Sequence, residues 1–185
     1  MLRGDRMEKE NSPLANTCSF AGVRPAMADL PYPPIQVCGK NQAYANLLSV
    51  DYCGSVSELS AVTQYINSEN RLSLRNCPVA RTLLGIAVAE MMHLQKLGEL
   101  IILLGGDLDF TAKYRNGSRR MWTPKYLTLS ESIKGVVQAN IEAEKAAIEQ
   151  YTAHIRMIRD EDVNAVLERI IKDEEYHILL LKALL

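Results

Sequence analysis

One pattern occurs twice in this chain and limits the folds open to it. Glu58-Leu-Ser-Ala-Val-Thr-Gln-Tyr65 and Glu144-Lys-Ala-Ala-Ile-Glu-Gln-Tyr151 both fit E-x-x-A-[VI]-x-Q-Y. Each is followed by E-x-x-H, first as Glu90-Met-Met-His93 and then as Glu174-Glu-Tyr-His177. The lone Glu precedes its E-x-x-H by 32 residues in the first half and by 30 in the second. On an α-helix, residues i and i+3 share a face, a little under one turn apart. One helix therefore offers a Glu and a His to the same metal ion, and the lone Glu, from the adjacent helix, bridges or completes the coordination. Two such hairpins packed face to face gather four carboxylates and two imidazoles around two ions. That oxygen-rich set suits Fe or Mn; a structural zinc prefers Cys and His.

Chance is a poor account of the pattern. Glu fills 14 of 185 positions, so a given His has a Glu three residues before it about once in thirteen. Two of the three histidines do; His154 does not, and reads as structural. The candidate metal ligands are Glu58, Glu90, His93, Glu144, Glu174 and His177. Their neighbours are apolar: Leu84, Ile86, Val88 and Met91 around Glu90, and Ile170, Ile171 and Ile178 around Glu174 and His177. Buried carboxylates without partners are costly, and coordination removes that cost. Glu142 lies two residues before Glu144, hence on another face, and with Glu149 and Glu175 reads as solvent-facing. Tyr65 and Tyr151 fall two turns beyond their glutamates. They are placed either to hydrogen-bond a ligating carboxylate or to serve as ordinary core tyrosines. With Glu174 they are the candidate catalytic residues.

The rest of the chain fits an all-α bundle. A hydrophobic content of 48% supplies a core, and the Leu, Ala, Glu and Lys bias favours helix over sheet. Four helical segments are expected: about 41–68, with Gly54 as a bend or true start; from Cys77-Pro78, capped by Asn76, to Gly105-Gly106; from Thr128–Ser130, with Thr128 and Glu131 at capping-box spacing, to about Ile158; and from Asp160 to the end. Short links join the first pair and the last pair. The middle link, about 105–127, is long enough to run the length of a bundle. Two antiparallel hairpins joined by one long crossover follow. Its basic residues Lys113, Arg115, Arg119 and Arg120, with Trp122, read as a solvated loop, with cover over the channel to the site or subunit contact as the alternatives. Residues 1–36 are expected as a flexible or extended tail and 37–185 as the bundle. Pro31-Tyr32-Pro33-Pro34 is extended and suited to lie against the body or a neighbouring subunit.

Composition removes some classes. A net charge of −1 points to neither nucleic acid nor a membrane surface. The four cysteines form no C-x-x-C, so no zinc ribbon or rubredoxin-type iron site is expected; they read as reduced, mostly buried thiols. The polar N-terminus lacks a signal-peptide core, which makes a cytoplasmic location the expectation.

These residues resemble the ferritin-like superfamily of di-metal carboxylate proteins over about 31–185. The pattern is nearest to manganese catalases and spore-coat catalase-like proteins, on Tyr32-Pro33, Asn41, Leu47-Leu48, Tyr52, Gly54 and Glu58 in that order. Bacterioferritin and rubrerythrin share the motif. The resemblance implies a ferritin-like four-helix bundle with two Fe or Mn ions, hydrogen peroxide or dioxygen as substrate, and a homo-oligomer. It also implies that Glu174 lies outside the direct ligands if the metal is Mn. A ferroxidase, or a metal-binding structural or cargo protein without turnover, is the alternative. There are departures. Rubredoxin cysteines are missing, so a full-length rubrerythrin is not expected, and no fifth helix follows the fourth. In bacterioferritin-like members an Asp before each E-x-x-H orients the His of the opposite half; Asp173 matches, but Ala89 stands at the other position.

Overall fold

The computed structural model describes residues 18–185. Four long helices form the bundle: α2 (Glu58–Leu72), α3 (Cys77–Leu103), α4 (Ile133–Ile155) and α5 (Glu161–Lys182). A shorter helix, α1 (Gln42–Cys53), precedes them. Two short strands, β1 (Thr111–Lys113) and β2 (Arg119–Met121), pair antiparallel within the crossover. Helices α2 and α3 form one antiparallel hairpin and α4 and α5 the other, as the link lengths predict. This is the ferritin-like arrangement.

Gly54 divides the segment expected as one helix. Its N–H closes the last turn of α1 on the Val50 carbonyl, at 2.8 Å. A Cβ at Gly54 would lie 2.5 Å from that same oxygen, so no side chain fits. Ser57 then caps α2 through Ser60 N–H, which places Glu58 in the first helical turn. At the far end of α3, Gly105 adopts φ +84°. Its N–H bonds the Ile102 carbonyl, and Gly106 N–H bonds that of Ile101, the paired bonds of a Schellman stop. Helix α4 starts later than its capping-box spacing suggests. Ser132 is the cap, bonding Gly135 N–H, because Thr128 N–H is engaged by the Gln64 side chain at 2.7 Å.

Two apolar clusters fill the bundle. One joins Leu48, Leu97, Leu100, Leu104, Val166 and Ile170; the other joins Leu72, Leu83, Ile86, Val137, Ile141 and Leu181. Between them along α3 and α5 lies a buried polar layer. Glu90, His93, Asp173 and His177 are each wholly shielded from solvent, and Glu174 nearly so.

Residues 18–40 carry no helix, yet they are built into the molecule as a strap along the bundle. Tyr32 and Val37 pack on the first core cluster and Ala26 on the second. The tail expected over residues 1–36 is therefore ordered from residue 18 onward; residues 1–17 lie outside the described residues. The cysteine reading also needs correction. Cys18 and Cys77 form a disulfide, leaving Cys53 buried and Cys38 exposed as free thiols. The pair is 59 residues apart, and only the docked strap brings the two together. No helix of the described residues is long and apolar enough to cross a membrane.

Candidate metal centre

All six residues of the repeat converge. Glu58 enters from α2, Glu90 and His93 from α3, Glu144 from α4, and Glu174 and His177 from α5. His93 Nδ1 lies 2.9 Å from Glu90 Oε2, 3.3 Å from Glu174 Oε1 and 3.6 Å from Glu58 Oε2. His177 Nδ1 repeats this arrangement, at 2.9 Å from Glu174 Oε2, 3.1 Å from Glu90 Oε1 and 3.5 Å from Glu144 Oε1. Two donor groups result: Glu58, Glu90, His93 and Glu174; and Glu90, Glu144, Glu174 and His177. Within each, one ligand atom per residue lies within 4.8 Å of all the others. The carboxylates common to both groups are Glu90 and Glu174, those of the E-x-x-H pairs, while Glu58 and Glu144 are terminal. Glu174 is as central as Glu90.

The donor set fits two metal ions. Four buried carboxylates call for about four positive charges, which two divalent cations supply. Glu90 Oε1 and Glu174 Oε1, one oxygen from each shared carboxylate, are buried with no hydrogen-bond partner among the described residues. Such orphaned oxygens are what a cation would satisfy. The titration behaviour shows the same tension. Burial, then the negative charge of Glu90 and Glu174, pushes the Glu58 and Glu144 carboxyls well above the usual range. Burial acts the same way on Glu90, but the His177 and His93 imidazoles outweigh it and pull that carboxyl down.

The lone glutamates are tied across the bundle. Tyr65 of α2 donates its hydroxyl to Glu144 Oε1 of α4, and Tyr151 of α4 donates to Glu58 Oε1 of α2. Each tyrosine thus serves the opposite half. The glutamines of the repeat are also engaged. Gln64 bonds Asn140 Oδ1, and Gln150 bonds Asp51 Oδ1 and the Val56 carbonyl. His154 lies outside the cluster, 2.7 Å from Asp51, a structural pairing. Glu142, Glu149 and Glu175 are exposed.

The outward nitrogens of the two histidines are held differently. His93 Nε2 meets Asp173 Oδ2 of the opposite half at 3.1 Å. Asp173 also accepts from Ala28 N–H and Tyr32 O–H, each at 2.7 Å, and pairs with Arg169 at 2.7 Å. Burial raises its carboxyl, but these donors prevail and hold it well below the usual range. At the other position Ala89 offers nothing, and His177 Nε2 instead meets the Ala26 backbone carbonyl at 2.8 Å. A backbone carbonyl only accepts, so Nε2 carries a proton. Nδ1 faces the three carboxylates, where a metal ion would take the place of its proton. Sequence reasoning missed Ala26, Ala28 and Arg169. Arg169 carries a faint signal, four residues before Asp173; the two alanines carry none.

A cavity of about 250 Å³ reaches the cluster between α2 and α4. Glu90 and Glu174 line it, with Glu58, Glu144 and both tyrosines, and Tyr126 and Thr128 of the crossover close its side. The crossover also reaches α2 through Trp122 Nε1–H to Ser60 Oγ at 3.0 Å. Its basic side chains Arg115, Arg119 and Arg120 face solvent. The crossover is cover for the site on one face and a solvated basic loop on the other.

Known proteins repeat this architecture. A probable manganese catalase of Clostridium acetobutylicum is 25% identical over 160 residues, 77% of this chain and 70% of that protein. The crystal structure of a manganese catalase from Anabaena superposes with a TM-score of 0.71 at 27% identity, covering 85% of this chain and 78% of that one. Mycobacterium tuberculosis bacterioferritin shares the fold, with a TM-score of 0.65 at 22% identity over 78% of this chain and 85% of its own. A sequence model of the rubrerythrin family matches residues 54–185, from the glycine before the first ligand helix to the C-terminus. The chain belongs to the rubrerythrin family, within the ferritin-like di-metal proteins.

Proposed function

We propose that this chain binds two Mn or Fe ions through Glu58, Glu90, His93, Glu144, Glu174 and His177, and works as a catalase-like oxidoreductase on hydrogen peroxide or dioxygen. The observation that carries the reading is the sharing of Glu90 and Glu174 between two otherwise mirrored donor groups. Ions held there would supply a two-electron change of oxidation state. The reaction on peroxide takes two molecules to two waters and one dioxygen, so it needs no outside electron donor.

The chain's own residues set the conditions. Tyr65 and Tyr151 fix the terminal carboxylates, while one oxygen of each shared carboxylate, Glu90 Oε1 and Glu174 Oε1, has no hydrogen bond. Glu174 is the candidate proton carrier, since one of its oxygens is unpaired and the residue is among those lining the cavity. A cavity of about 250 Å³ falls below the ~300–1,000 Å³ of pockets for drug-sized ligands and suits small oxygen species. The decisive experiment is elemental analysis of natively purified protein together with oxygen release from added peroxide. Two Mn per chain with no oxygen release ends the catalase reading.

One observation favours a second reading. Glu174 sits as centrally as Glu90, whereas the resemblance to manganese catalases leads one to expect it outside the direct ligands. Six direct ligands suit iron(II) oxidation by dioxygen. Oxygen uptake on anaerobic loading with iron(II), followed by air, separates the two. A structural or cargo role loses its motivation from Pro31–Pro34, because Tyr32 of that segment is engaged by the chain's own Asp173. Self-association is part of the proposal, supported by the exposed Met91, Ile102 and Leu103 on α3 and checked by light scattering.

A further inference from the structure

The four-residue stripe Cys77, Arg81, Gly85 and Ala89 on α3 carries the first part of the strap. Cys77 holds Cys18 by the disulfide. Arg81 donates to the Ser19 carbonyl, and to that of Ala21 at 3.2 Å. The Gly85 carbonyl receives Ala26 N–H at 2.9 Å. A Cβ at Gly85 would stand 3.1 Å from the Arg24 carbonyl, so the strap lies directly on bare backbone there. Ala89 comes next on the stripe, at the position where an aspartate would face His177. The Ala26 carbonyl fills that role, 2.8 Å from His177 Nε2. Downstream, Arg169 grips the Ala28 and Leu30 carbonyls, and Asp173 receives Ala28 N–H and Tyr32 O–H. Among the described residues upstream of Ala26, the covalent anchor is the disulfide.

We propose that the strap is a positioning element of the metal centre, with the Ala26 carbonyl doing for His177 what Asp173 does for His93. The Cys18–Cys77 bond latches it, so reduction of that bond weakens the metal position of His177 and spares that of His93. This rests on the di-metal reading above. Loss of the partner that orients a ligating imidazole lowers metal affinity ~10–100-fold. His93 keeps its partner when the latch opens, because Asp173 is carried by α5 and paired with Arg169. Both cysteines are only partly buried, within reach of a reductant.

The test uses the full chain, oxidised and then reduced with a water-soluble phosphine. The phosphine becomes its oxide with oxygen from water, and water supplies the protons for the two thiols. Manganese(II) is titrated in and free ion counted by electron paramagnetic resonance. The oxidised protein should take up two ions. After reduction one affinity should fall at least ~10-fold while the other holds. The double variant Cys18→Ser/Cys77→Ser should behave as the reduced chain, and adding Ala89→Asp should restore the second ion. Equal, unchanged affinities in both redox states overturn the proposal. An oxidised chain that takes up fewer than two ions defeats the di-metal reading instead. Nitrogen NMR of the metal-free chain then still decides the strap's role. A His177 Nε2–H signal that is held in a hydrogen bond in the oxidised chain and exchanges with water on reduction upholds it, and an Nε2–H signal unmoved by reduction overturns it.

Discussion

The half built on His93 and the half built on His177 match at their centre and differ at their backs. Toward the cavity, each imidazole Nδ1 faces the same three carboxylate types at nearly equal distances. Behind, His93 rests on a buried carboxylate from the opposing helix, and His177 rests on a backbone carbonyl from a segment outside the bundle. Side chains that would hold a metal pair must agree with one another in geometry, and the repeat places matched residues there. Their supports need only hold a ring in place with the correct nitrogen protonated, and different parts of the chain can do that. Asp173 joins the two solutions. It holds His93 and at the same time accepts Ala28 N–H and Tyr32 O–H, which seat the strap that carries Ala26. The two halves are thus independent at the latch and coupled at Asp173.

The largest effect is expected where the halves share a residue. Glu90→Gln and Glu174→Gln should each abolish binding of both ions. Oxygen release should then fall by more than the ~10–100-fold that loss of an outer partner costs. Elemental analysis reads the outcome directly. If Glu174→Gln keeps two ions while Glu90→Gln loses them, the shared pair is not equivalent and Glu174 supports the site without ligating.

Asp173→Ala comes next, because it strikes both supports. It leaves Arg169 buried without its partner, and breaking a buried pair in this way costs about 3–5 kcal/mol. For a domain of this size the melting temperature should drop by roughly 10 °C. Metal affinity should fall at both positions, directly at His93 and through the strap at His177. A fall confined to one position in calorimetric titration would show that the strap does not need Asp173.

The two tyrosines sharpen the comparison at smaller scale. Tyr65→Phe and Tyr151→Phe each remove a buried hydrogen bond to a carboxylate, worth about 1.5–3 kcal/mol. Denaturant melts should place the two variants within about 0.5 kcal/mol of each other, and the double variant should depart from their sum, since both bonded carboxylates face the shared Glu90 and Glu174. A large gap between them would mean that the crosswise bonding is not functionally symmetric.

What could be read before the fold was known divides along the same line. The convergence of the six side chains was legible because helical spacing turns E-x-x-H into geometry, and because a duplicated motif checks itself. The lone Ala89 showed that His177 lacked the usual orienting Asp. It could not show the replacement, since a backbone carbonyl leaves no mark in residue identity and Ala26 lies 151 positions from His177. The disulfide was hidden for the same reason. Nothing local relates Cys18 to Cys77 until the strap docks. Gly54 was legible only as a bend or a start, and the non-helical stretch 54–57 between two helices was not. Thr128 misled because its amide is claimed by Gln64, a tertiary bond that overrides a local capping pattern.

The smallest expected effect tests the choice between neighbouring acids. Glu142 and Glu144 are two residues apart on α4, and only the repeat selects Glu144. In the fold Glu144 is buried and bonded by Tyr65, while Glu142 is exposed and pairs with Lys145 at 2.8 Å. The Lys145 ammonium lowers the Glu142 carboxyl from its ordinary value, so this side chain is already charged and satisfied by solvent-side partners. Glu142→Ala should leave two ions per chain and move the melting temperature by no more than ~2 °C. Glu144→Ala should lose the ion on the His177 side and leave Tyr65 without an acceptor. The pair of variants compares two carboxylates of the same helix that differ by about 200° around its axis. Equal metal loss from both would mean that α4 is rotated from the orientation described, and would undo the selection the repeat makes.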